Sequence, residues 1–89
     1  VFDEIFVDMP LPGNTPSTRH FQTKDLECLL LKFTITREGR LLENGKPYDF
    51  FGTITFYTRE NDVWFEYKAK VNDGYVENIY VGENLGGIS

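Results

Sequence analysis

The residues able to do chemistry are few and scattered. His20 is the only histidine, placed after Arg19 at the end of a proline-rich stretch. A metal site would need His-x-x-x-His or Cys-x-x-Cys spacing, which the chain lacks, so His20 reads first as a solvated loop side chain. Cys28 is the only cysteine. That rules out an intramolecular disulfide and any cysteine-rich zinc centre. Its neighbours Leu26, Leu29 and Leu30 suit a small packed hydrophobe. A thiolate nucleophile would need an electropositive setting and a base, and His20 is the one histidine available. Asp3, Glu4, Asp8, Asp25 and Glu27 concentrate carboxylates in the first third of the chain. Paired carboxylates can do acid–base work or hold a hard cation. No calcium-loop spacing is present, and acids on exposed strands are the plainer reading. Gly86-Gly87 has no helix after it, so it is not a phosphate-binding loop. These readings assign no catalytic residue, no cofactor and no metal.

The stronger candidate is a surface. FFGTITFYT at 50–58 and VWFEYKAKV at 63–71 are rich in β-branched and aromatic residues, with Arg59-Glu60-Asn61-Asp62 between them, and read as a hairpin. A four-residue loop at 59–62 pairs Thr58 with Val63, Phe56 with Phe65, Ile54 with Tyr67 and Gly52 with Ala69 on one mostly apolar face. The other face then pairs Tyr57 with Trp64, Thr55 with Glu66 and Thr53 with Lys68. A slip of one residue would destroy this agreement. Tyr57 and Trp64, with Glu66 and Lys68 as a polar rim, form a candidate interaction face, because aromatic anchors with polar surrounds are the usual anatomy of a hot spot. The preferred reading of the pair itself is that the sheet curls, or residues 1–9 cover it, making it a second small core.

The elements around this hairpin read as an all-β, antiparallel strand meander forming a curled sheet or small barrel. Residues 2–9 predict a short strand. PLPGNTPST opens an irregular loop at 10–19, since proline fixes φ and donates no hydrogen bond; it is the one candidate for mobility inside the domain. FQTKD and CLLLKFTIT predict strands, with a helix over 24–32 as the competing reading because KDLECLLLK contains good helix formers. Arg37-Glu38-Gly39 turns the chain and aligns Ile35 with Leu41. Residues 40–43 return, and 44–47 turn again. At 72–74 a two-residue Asp73-Gly74 turn would set Val71 opposite Val76. A three-residue loop would set Tyr67 opposite Ile79 and Phe65 opposite Val81, and is preferred because it turns Ile79 and Val81 to the core. Strand 75–81 and a frayed tail at 83–89 complete one domain spanning 1–89.

Composition bounds the function classes. The chain has 89 residues, 40% of them hydrophobic and 16% aromatic, enough for one modest core. The net charge of −5 argues against a nucleic-acid partner. The acids are interleaved with bases, which also argues against mimicry of nucleic acid. No signal peptide or membrane-spanning run is read in the chain, and the single cysteine fits a reducing cytoplasm.

Phe21 to Cys28 (FQTKDLEC), Thr34-Ile35-Thr36 with Gly39-Arg40-Leu41, Gly52 leading to Phe56-Tyr57-Thr58, and Trp64 followed by Glu66 to Lys70 and Asp73-Gly74 resemble a group of small uncharacterised proteins from bacteria and their phages. The likeness covers roughly residues 20–80. It implies a bacterial or phage setting and no mechanism. Some members of that group carry a Cys-x-x-Cys pair in the early loop, where this chain has PLPGNTPST, so no metal site carries over. The expectation is a non-enzymatic protein-binding or assembly module, acting on a protein partner or on a second copy of itself. The competing expectations are a small enzyme using Cys28 or the early carboxylates, and a single-strand nucleic-acid binder using Tyr57, Trp64, Lys68 and Lys70.

Overall fold

The computed structural model describes residues 1–82. Eight strands form within them: β1 (Asp3–Val7), β2 (His20–Thr23), β3 (Lys32–Ile35), β4 (Leu41–Glu43), β5 (Lys46–Pro47), β6 (Gly52–Glu60), β7 (Val63–Asn72) and β8 (Tyr75–Val81). No helix occurs among the described residues. All eight strands belong to one sheet, in the order β5-β4-β3-β1-β2-β6-β7-β8.

Period-two patterning sets the two faces. Ile5, Val7, Phe21, Phe33, Ile35, Leu41, Ile54, Phe56, Tyr67, Ala69 and Val71 turn inward and form one buried core. Phe21 meets Phe56 edge-on at 5.0 Å and Tyr67 at 6.0 Å, joining β2, β6 and β7 through ring contacts. Phe65 is only partly buried against this core.

Two antiparallel meanders, β3-β4-β5 and β6-β7-β8, are joined through β1 and β2. The purely antiparallel expectation fails at one place, since β1 runs parallel to β3, with Ile5 opposite Phe33 and Val7 opposite Ile35. The chain leaves β2 at Thr23, which faces Asp3. It enters β3 at Lys32, which faces Glu4. Residues 24–31 therefore arch over the start of β1. They are neither the strand nor the helix that the apolar run CLLL predicts.

An arch of this kind leaves backbone N–H groups without sheet partners, which is costly when they are buried. Asp3 supplies the partner. Its carboxylate, fully buried, accepts the backbone N–H groups of Glu27 (2.8 Å), Cys28 (2.7 Å), Leu29 (2.9 Å) and Leu31 (2.9 Å). Cys28 and Leu30 adopt left-handed φ of 57° and 61°. That alternation turns successive N–H groups to one side and makes an anion-binding nest. Each left-handed residue costs about 1–2 kcal/mol. Hydrogen bonds to a charged acceptor contribute about 1.5–3 kcal/mol each, so four of them exceed the strain.

Turn chemistry fixes the hairpins. Asn44-Gly45, Asn61-Asp62 and Asp73-Gly74 all have positive φ at both positions, the geometry that matches the twist of two-residue hairpins. At Asn61-Asp62 this corrects the four-residue loop. Glu60 faces Val63, Phe56 faces Tyr67 and Ile54 faces Ala69. The shift is two residues, so every side chain keeps its face. At Asp73-Gly74 the preferred three-residue loop is overturned, and Val71 faces Val76. An irregularity at Lys70/Val71 then sets Ala69 opposite Ile79 and Tyr67 opposite Val81. Ile79 packs partly on the core, while Val81 is exposed. The alignment of Ile35 with Leu41 matches the sequence reading. Residues 44–47 divide into the Asn44-Gly45 turn and the edge strand β5, where Lys46 and Pro47 discourage further pairing.

The sheet curls without closing, so it is not a barrel. One bridge, Arg40 to Tyr75, brings the start of β4 to the β7–β8 turn. Leu41 N–H donates to Gly74 O at 2.9 Å, and Val76 N–H to Gly39 O at 2.7 Å. Arg40 completes the clasp, bonding Asp49 at 3.0 Å and lying 4.7 Å over the Tyr75 ring. The proline-rich loop is tied down as well. Ser17 N–H donates to Glu60 at 2.8 Å, Tyr67 O–H to Asn14 O at 3.0 Å, and Arg19 to Val7 O at 2.8 Å.

Two stability outcomes are expected. A Cβ on Gly74 would lie 1.9 Å from Arg40 Nη1 and 2.8 Å from Tyr48 O, whereas Gly45 has nothing within 4 Å. Both glycines have positive φ. By chemical denaturation, Gly45→Ala should cost about 1–2 kcal/mol, and Gly74→Ala clearly more; equal costs would refute the clasp. The second outcome concerns pH. Burial raises the Asp3 pKa, but the four backbone N–H bonds together lower it by more, leaving it below the ordinary value. A carboxyl held lower in the folded state stabilises fully above the unfolded pKa, and that contribution is lost as pH falls through the folded value. Acid titration of stability should therefore show a loss confined to the acid limb. Asp3→Asn should shrink that limb, leaving the share of Glu60, whose hydrogen bonds from Ser17 also hold its carboxyl low, and cost at least about 3 kcal/mol at neutral pH.

Candidate interaction face

The solvent-facing side of β6 and β7 carries Thr55, Tyr57 and Arg59 beside Trp64, Glu66 and Lys68. In the observed register Tyr57 faces Glu66 and Arg59 faces Trp64. Tyr57 and Trp64 are therefore diagonal neighbours rather than a direct pair. Diagonal neighbours remain within reach of aromatic side chains. The rings stack with centroids 5.1 Å apart and planes 20° from parallel.

Trp64 is 49% exposed and Tyr57 half-buried. Residues 1–9 do not lie over them, because Asp3–Val7 is the central strand between β3 and β2. The indole is held at two points. One face lies on Tyr57, and Nε1 donates to Glu66 Oε1 at 3.0 Å. Lys68 Nζ donates to Thr55 Oγ1 at 3.0 Å. Burial pushes the Tyr57 pKa up, and the nearby Asp25 and Glu66 carboxylates are further causes. Beside the platform, a groove of about 260 Å³ runs along the start of β7, lined by Asn14, Val63, Phe65 and Val81 together with Trp64 and Glu66.

The other candidates have structural partners. The His20 ring packs on Phe6 at 4.9 Å. The Cys28 thiol is partly exposed and donates to Lys24 O at 3.2 Å. Leu29 and Leu30 are 66% and 62% exposed, so two of the apolar neighbours expected to bury Cys28 point to solvent. The early carboxylates are dispersed. Asp3 fills the nest, Glu27 accepts the Tyr48 hydroxyl, and Asp8 lies 3.9 Å from Arg37. Asp25 accepts Thr55 N–H at 2.6 Å, while Thr23 Oγ1 donates to Thr55 O at 2.8 Å. Those two side chains replace the ladder where the β2–β6 pairing stops. No group of His, Cys, Asp and Glu with metal-binding geometry occurs among the described residues. No described helix is long and apolar enough to cross a membrane. Sequence reasoning missed the Asp3 nest and the exposed Leu29-Leu30 pair. The one available signal was an acid placed just before an alternating apolar strand.

No family model, curated protein or solved structure matches the chain.

Trp64 is the only tryptophan, so its fluorescence reports the face directly. A red-shifted emission maximum, quenched readily by acrylamide, is expected. A blue maximum resistant to quenching in a monomer would contradict the exposure of the ring.

Proposed function

We propose that the chain is a non-enzymatic protein-binding or assembly module, working in a bacterial or phage-infected cytoplasm, and that Tyr57, Trp64, Glu66 and Lys68 mark its contact face. One observation carries this reading: a half-exposed indole is stacked on Tyr57 and tied by Nε1 to Glu66. A free surface tryptophan gains rotamer entropy by moving. One already fixed gives up little on binding, which favours affinity. Tryptophan and tyrosine in a polar surround also dominate measured hot spots. The bacterial or phage setting rests on the sequence resemblance alone.

Affinity capture from a bacterial or phage-infected lysate tests the reading. Bait carrying Trp64→Ala or Tyr57→Ala should lose the partner that the unmodified chain retains, with circular dichroism unchanged. Retention by both variants would move the contact to the sheet edges or to the 10–19 loop.

A further inference from the structure

The outer face carries a charge pattern that selects among partners. Glu66 lies beside the indole, and Asp25 accepts the backbone N–H of Thr55, two residues before Tyr57 on β6. Lys68 Nζ donates to Thr55 Oγ1. Arg59 faces Trp64 across the hairpin. The only cation–π contact among the described residues, however, is Arg40 over Tyr75. Among the described residues, then, no cation lies over the stacked pair and none forms an ion pair with Glu66, in a chain of net charge −5.

The molecule performs the matching chemistry internally at the clasp. There a guanidinium covers the face of Tyr75 while pairing with Asp49. Resting on the proposed contact face, we infer that the anchor presented by the partner is a cationic side chain, arginine before lysine, lying on the Trp64–Tyr57 stack and paired with Glu66. Arginine is preferred because its planar guanidinium stacks on rings and offers donors to a carboxylate at the same time.

The test uses the full chain and three peptides with one backbone of alternating glycine and a second residue: arginine, neutral citrulline or glutamate. Trp64 fluorescence is followed as each is added. Saturable quenching by the arginine peptide, weakened by added salt, is expected. Citrulline should bind roughly two- to fivefold more weakly, the range of an exposed cation–π contact, and glutamate not measurably. Glu66→Gln should weaken the arginine peptide, while Arg59→Ser should leave it equal or tighter. Equal binding of citrulline and arginine would overturn the cationic anchor and leave the aromatic face standing. So would silence of all three peptides while lysate capture still depends on Trp64. Silence together with capture indifferent to Trp64 would remove the face as well. Saturable binding of the glutamate peptide, lost on Arg59→Ser, would mean that the face reads an anion, and would overturn the inference.

Discussion

The fold depends on a buried carboxylate at the third residue. β1 is inserted between β2 and β3, so the chain joining those two must pass over the end of β1. An eight-stranded sheet with its first strand near the middle can be built only if that arch is satisfied where it passes. Asp3 does this by accepting four N–H groups at once. The same arch is bound to the neighbouring backbone by Glu4 N–H to Leu31 O and Leu30 N–H to Phe2 O. Burying an unpaired carboxylate would cost several kcal/mol. The nest reverses that cost, because a preformed ring of donors solvates the charge in place of water.

Two consequences run outward from this point. On one side the arch holds Leu29 and Leu30 in solvent on a backbone that is bent but fixed. On the other, Asp25 and Thr23 close off the β2–β6 ladder at Thr55, at the border of the outer face. The β6–β7 hairpin carries that face and takes its rigidity from the longest ladder in the molecule. The carboxylate at the start of the chain and the aromatic stack near its centre are thus linked through β2.

Much of this architecture is legible in the sequence because alternation is a strong signal. Ile54, Phe56, Tyr67 and Ala69 lie inside, and Tyr57, Trp64, Glu66 and Lys68 lie outside. Both sets survive a register error of two residues because parity is preserved. The error came from treating Asn61-Asp62 as part of a longer loop, although both residue types tolerate left-handed φ and suit a two-residue turn. The order of strands was not legible. Alternation says which face a residue occupies and says nothing about which strand lies beside it, so the parallel β1–β3 pairing had no local trace. The Asp3 nest was hidden for a related reason. Its partners are backbone groups, whose positions depend on the φ values of Cys28 and Leu30 rather than on their side chains. Trp64 was identified correctly as an outer-face residue, but its stacking is diagonal and its tether to Glu66 is specific to the observed register.

The measurement that bears most directly on this account is an NMR acid titration following the Asp3 carboxyl carbon together with the amides of Glu27, Cys28, Leu29 and Leu31. The expected result is one common midpoint for all five signals, below the ordinary aspartate value, with the four amides shifted downfield at neutral pH. An Asp3 carboxyl that titrates at an ordinary value while the four amides stay still would contradict the claim that this one charge holds the arch.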